Sequence, residues 1–128
     1  VAFAIYGRET QWVAHAQADS FPFKFEVQDY KPGPVSTAAL ITREGRHYYM
    51  ALDKSFYSFD GIRATHIGDP IRRYVERTVS EHEKDRTFAV YSRRDRTIYW
   101  IFPTITLSDP ATGVAYQIDT GQWWPVTF

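Results

Sequence analysis

The chain has 128 residues, 44% of them hydrophobic and 17% aromatic, which is enough apolar material for one packed domain and too much for a disordered chain. Fifteen basic residues balance fifteen acidic ones, so no net field would draw in nucleic acid or an anionic membrane. Without cysteine, disulfides, thiolate metal sites and cysteine catalysis are excluded, and no apolar run approaches the roughly 18 residues that a bilayer-spanning helix needs.

Val1-Ala2-Phe3-Ala4-Ile5-Tyr6 reads as the inside of a strand, and Phe128 follows directly on a Trp-rich one. The expectation is therefore the ordered or C-terminal part of a longer polypeptide. Strand-like runs occupy 2–6, 11–16 and 21–28, with Phe21, Phe23, Phe25 and Val27 alternating onto one face. Gly7-Arg8-Glu9-Thr10 makes a hairpin loop between the first two runs. Lys31-Pro32-Gly33-Pro34 is a rigid connector, because its prolines fix φ.

Two clearer strand–turn–strand units follow. The first runs from Ala39 through a turn at Arg43-Glu44-Gly45-Arg46 to Met50, makes a second turn near Asp53-Lys54, and closes on Phe56-Tyr57-Ser58-Phe59-Asp60-Gly61. The second runs from Ala89 through Arg93-Arg94-Asp95-Arg96 to Phe102 and closes on Tyr116-Gln117-Ile118-Asp119-Thr120-Gly121. Thr42 and Tyr49 match Ser92 and Tyr99 at an offset of 50, and Tyr57 and Asp60 match Tyr116 and Asp119 at an offset of 59. Short aromatic strands repeating at this period are the mark of a β-propeller blade.

Between the units lies one helix signal. Asp69 is a good N-cap, Pro70 suits the first helical position, and Ile71, Tyr74, Val75, Thr78 and Val79 share one helical face. The fold expected is thus all-β and mainly antiparallel, in propeller-like blades with one short helix inserted around 70–84. Residues 1–32 form a partial or diverged blade, 33–86 a blade with the inserted helix, and 87–128 a further blade. Three such units cannot close a ring that typically needs 4–8 blades, so they would belong to a larger propeller.

Chemistry is sparse in this pattern. His15, His47, His66 and His82 show no ligand spacing, and nothing points to a metal, a cofactor or an enzyme. Asp60-Gly61 and Asp119-Thr120-Gly121 are hairpin signals, in which the carboxylate bonds to nearby backbone N–H groups, rather than an acid/base pair. Arg72, Arg73 and Arg77 make a basic helix segment, and Arg93, Arg94 and Arg96 a basic turn. Each set is a candidate contact for phosphates or for acidic groups of a neighbouring subunit. Trp12, Trp123 and Trp124 are expected to pack between blades rather than to stack on sugars.

The stretches Gly33-Pro34-Val35-Ser36, Tyr48–Gly61, Ile67–Tyr74, Thr97–Pro103 and Tyr116–Trp123 resemble tail proteins of tailed bacteriophages. They are similar to the propeller-bearing nozzle or tail-hub group, which includes packaged-DNA-stabilising tail accessory proteins, over roughly residues 33 to 126. Asp119 followed directly by Thr120 is a shorter spacing than the family's closing motif. The resemblance implies a structural virion component in the tail or neck, assembled in the host cytoplasm as a homo-oligomeric ring around the DNA exit channel. Its partners would be adaptor, portal and fibre proteins, with double-stranded DNA in the channel. It carries no catalytic residue, and it makes the two arginine groups candidates for subunit or DNA contact. The alternative from the residues alone is a kelch-like or lectin-like propeller that binds a protein or glycan.

Overall fold

The computed structural model describes residues 2–16, 23–106 and 111–128, and among these it has the antiparallel all-β class expected from the sequence. Phe21, Pro22 and the Asp109-Pro110 turn lie outside the described residues. The first sheet contains β1 (Ala2–Tyr6), β2 (Gln11–Ala16) and β3 (Phe23–Asp29). The second contains β4 (Leu40–Arg43), β5 (Arg46–Met50), β6 (Phe56–Phe59) and β7 (Ala64–His66). The third contains β8 (Phe88–Ser92), β9 (Thr97–Phe102), β10 (Thr112–Gln117) and β11 (Gln122–Thr127). In every sheet, strands adjacent in sequence are adjacent in space, so each is a simple meander.

The sheets stack face on face in chain order. Alternation along β5 explains how: Tyr49 and Ala51 join Tyr57, Phe59 and Val13 in a core against the first sheet, while Tyr48 and Met50 join Phe56, Ile98, Trp100 and Phe102 in a core against the third. The middle sheet is thus apolar on both sides, which is why β5 and β6 read as continuous hydrophobic runs. Its contact with the third sheet is aromatic: Phe56 meets Trp100 edge-on at 4.9 Å and Trp123 also at 4.9 Å, and Tyr48 reaches Tyr116 at 6.1 Å, while Trp123 stacks on Trp100 within the third sheet. Trp100 is fully buried and donates its indole N–H to Ala39 O at 2.8 Å. The first strands of these two sheets, β4 and β8, run beside each other.

On the other side, Tyr6 packs on Tyr49 at 5.2 Å and on Phe59 at 5.7 Å. Buried Gln11 donates to Tyr49 Oη and to Lys31 O, and its own carbonyl accepts from Lys31 N–H, so its amide is satisfied. The connector at 31–34 is held inside this junction. Gly33 donates to Arg8 O and its carbonyl accepts from Leu52 N–H, and a Cβ there would lie 2.0 Å from Gly7 O.

The inserted helix is shorter than its apolar pattern. A 3₁₀ turn at Asp69–Ile71 leads into α1 (Arg72–Thr78), and a second 3₁₀ turn covers Lys84–Arg86. Ile71, Val75 and Val79 face the core, as their spacing requires. Past Thr78 the backbone pairs with the segment after β9: Ser80 N–H donates to Pro103 O and Ile105 N–H to Thr78 O. Those bonds hold Val79 extended and end the helix. Asp69 makes no capping bond; its carboxylate sits 3.2 Å from His66 Nδ1.

The repeat also needs a correction of phase. Tyr57 and Tyr116 both face the preceding sheet, as an offset of 59 implies, but Tyr49 and Tyr99 do not match. Tyr49 faces the first sheet, whereas Tyr99 lies on the side of β9 opposite to core residues Ile98 and Trp100. The pairing register does not explain this, because it is the same in both hairpins: Thr42↔His47 matches Ser92↔Thr97, and Leu40↔Tyr49 matches Val90↔Tyr99. The two hairpins instead present opposite faces to the preceding sheet.

Candidate interaction surfaces

The hairpin tips of the second and third sheets carry the densest polar contacts. Glu44 and Gly45 adopt φ of 52° and 76°, a left-handed pair that closes the two-residue turn. This presents Glu44 to the third sheet, where Arg96 Nη1 donates to it at 2.8 Å. Arg96 Nε donates to both Asp119 oxygens at 2.9 and 3.0 Å, so one guanidinium bridges two carboxylates from different sheets. The hydrogen bond from Arg96, and then its charge, hold the Glu44 carboxyl below its usual range.

Arg96 is therefore committed inside the molecule rather than offered to a partner. Arg93 and Arg94 stand exposed at the same tip. In the helix set, Arg72 pairs with Glu76 at 3.1 Å, while Arg73 and Arg77 are exposed. The structure does not merge the two sets. The Arg93–Arg96 turn sits at one end of β9, and the residues following Arg77 pair beyond the other end at Thr104. Six residues of strand, on the order of 20 Å, separate these ends.

The turn aspartates divide in role. Asp60 accepts from Ile62 and Arg63 N–H, both at 2.9 Å, and these bonds hold its carboxyl below the ordinary value. Gly61 takes φ of 97° beside it. Asp119 differs from the expectation, because its carboxylate turns to Arg96. The amides of its turn are satisfied by Gln117 instead: Thr120 N–H reaches Gln117 Oε1 at 2.7 Å and Gly121 N–H reaches Gln117 O at 2.8 Å. Gly121, at φ of 73°, closes the hairpin.

Trp123 packs between sheets as expected, donating to Ile67 O at 2.8 Å. Trp12 is half-buried, its indole N–H on Thr10 Oγ1. Trp124 points to the opposite face from Trp123 and remains 37% exposed.

Sequence reasoning missed a partly buried polar pair. Tyr6 Oη lies 2.5 Å from His47 Nδ1. Burial raises the Tyr6 phenol far above its ordinary value and lowers the His47 imidazole, so both shifts favour the neutral forms of the pair. Beside Tyr6 a cleft of about 340 Å³ opens between the first sheet and β4, lined by Pro34, Ser36, Thr37 and Leu40. Ser36 Oγ donates to Thr87 O, so this hydroxyl is engaged in joining the second and third sheets. No signal in the sequence joined residues 6 and 47. Among the described residues no group of three metal-ligating side chains comes together, and no helix is long and apolar enough to cross a membrane.

No protein-family model matches the chain, and no curated protein matches it in sequence.

Proposed function

We propose that this chain is a non-enzymatic structural component of a tailed-bacteriophage virion, a β-propeller sector of a tail nozzle or hub subunit that rings the DNA exit channel. The observation that carries the reading is the stacking of three antiparallel meanders in chain order, with β4 and β8 side by side, as blades lie around an axis. The motif resemblance over residues 33 to 126 supplies the virion assignment. Rigidity suits such a role. Aromatic rings fill both inter-sheet layers, and the Glu44–Arg96–Asp119 bridge ties the hairpin tips of two sheets together. Arg73, Arg77, Arg93 and Arg94 are the side chains available for neighbouring subunits or DNA. A glycan-binding reading loses Trp123, whose indole is spent in the core.

Immunogold electron microscopy with antibodies against this chain tests the assignment. Label concentrated at the neck or tail of source-phage particles supports it. Label absent from particles, with the protein confined to the soluble lysate, overturns it and moves a binding module to first place.

A further inference from the structure

We propose that copies of this chain associate head to tail, the outer face of the third sheet in one copy seating on the outer face of the first sheet in the next. This concerns how the propeller sector proposed above is completed and rests on that part of the reading; it does not depend on the virion assignment.

The ladders place Phe88, Val90, Tyr99, Ile101, Trp124 and Val126 on the side of the third sheet that faces away from the second. The remaining positions on that side are Ser92, Thr97, Gly113, Ala115, Gln117 and Gln122, so the four strands present no charge there. Phe88, Val90 and Trp124 stay 37%, 46% and 37% exposed, and Phe128, against Tyr99 at 6.2 Å, is 67% exposed. Thr97, Ile101 and Ala115 in the middle of this side are already buried, so the exposed apolar surface is carried by β8, β11 and Phe128 at its margins. Uncharged exposed aromatics and β-branched residues of this kind mark an interface.

The opposite end of the stack has a matching face. With Ala4, Tyr6 and Val13 turned to the second sheet, the described residues Ile5, Trp12, Ala14 and Val27 lie on the outer side of the first; none is charged, and Ala14 is already buried. Ile5 is 38% exposed.

The occupant follows from the repeat. Twice within the chain, the outgoing face of one sheet is covered by the incoming face of the next: first sheet on second, second on third. The third sheet's outer side is an outgoing face and the first sheet's outer side is an incoming one. A second copy placed head to tail would therefore continue a contact already made twice. Pairing two third sheets would leave both first-sheet faces in water. Head-to-tail contacts are heterologous and either close into rings or extend as filaments.

The test is sedimentation velocity on the purified chain and two variants, over concentrations up to roughly 100 µM, suited to an interface near or below the standard size. The wild type is expected to associate. Trp124→Glu and Ile5→Glu, at opposite ends, should each be monomeric, and their equimolar mixture should form a dimer and stop, since one intact face of each kind remains. Unchanged near-ultraviolet circular dichroism verifies folding, and Val90→Lys replaces Trp124→Glu if that variant unfolds. A monomeric wild type, an Ile5→Glu variant that still associates, or a mixture that stays monomeric overturns the proposal. Tail labelling without association would sink this inference and leave the virion assignment standing; association without tail labelling would do the reverse.

Discussion

Replacing Trp100 by phenylalanine probes the seam between the second and third sheets. The indole is fully buried, donates to Ala39 O at 2.8 Å, stacks on Trp123 and meets Phe56 edge-on. Phenylalanine cannot donate, and Ala39 is itself fully buried, so its carbonyl loses a partner that water cannot readily replace. An orphaned buried acceptor costs about 1–3 kcal/mol. The lost ring atoms remove about 1.5–2 kcal/mol of burial, and the weakened stacking a few tenths more. The expected total is about 3–5 kcal/mol, lowering Tm by roughly 10–20 °C for a domain of this size. Tyr99→Phe is the control: it is the neighbouring residue on the opposite face, and its expected change is within about 0.5 kcal/mol. Urea unfolding followed by far-ultraviolet circular dichroism reads both from the midpoint at constant slope. A cost below about 1 kcal/mol for Trp100→Phe, or equal costs for the two, would refute the facing assigned to β9.

Gly113→Ala should cost about 2–3 kcal/mol in the same assay, because the new Cβ would lie 2.1 Å from the Trp100 carbonyl oxygen and force β9 and β10 apart. Gly121→Ala meets open space at φ of 73°, so about 1 kcal/mol of backbone strain is expected. Asp60→Ala removes the acceptor for two backbone amides at an exposed turn and should cost about 1 kcal/mol at neutral pH. His47 sets a pH dependence. Burial lowers its folded-state value below the ordinary 6.5, so the unfolded chain binds the proton more readily. Its contribution is complete above about pH 6.5 and declines as pH falls toward the folded-state value. Tm measured across that range should fall more steeply for the wild type than for His47→Gln, and parallel curves would contradict this.

The legible parts of the fold were those fixed by local chemistry. Glu44-Gly45 and Asp60-Gly61 announce their turns, and alternating apolar residues announce the strands around them. The face of α1 was legible from Ile71, Val75 and Val79, but not its length, which is set by backbone bonds to Pro103 and Ile105 more than twenty residues away. Asp69 satisfies the sequence rule for a cap and yet turns to His66. The phase between Tyr49 and Tyr99 was hidden because both hairpins have the same spacing and the same pairing register, and only the packing of the sheets decides which face each turns inward. Among the candidate contact residues, Arg96 read like Arg93 and Arg94. What separates it is Glu44, 52 positions earlier, and a carboxylate on Asp119 that turn chemistry had assigned to backbone amides. Exposure of Val90 and Trp124 on one charge-free face required the register of all four strands.

Quantitative peptide mass spectrometry of purified source-phage particles tests the central claim most directly, using this chain's peptides against those of the portal. The account expects the chain in particles at a fixed ratio to the portal, about six or twelve copies per particle, as a closed ring of subunits requires. Particles that lack it, or carry it at a variable trace level, would contradict the assignment to a tail nozzle or hub.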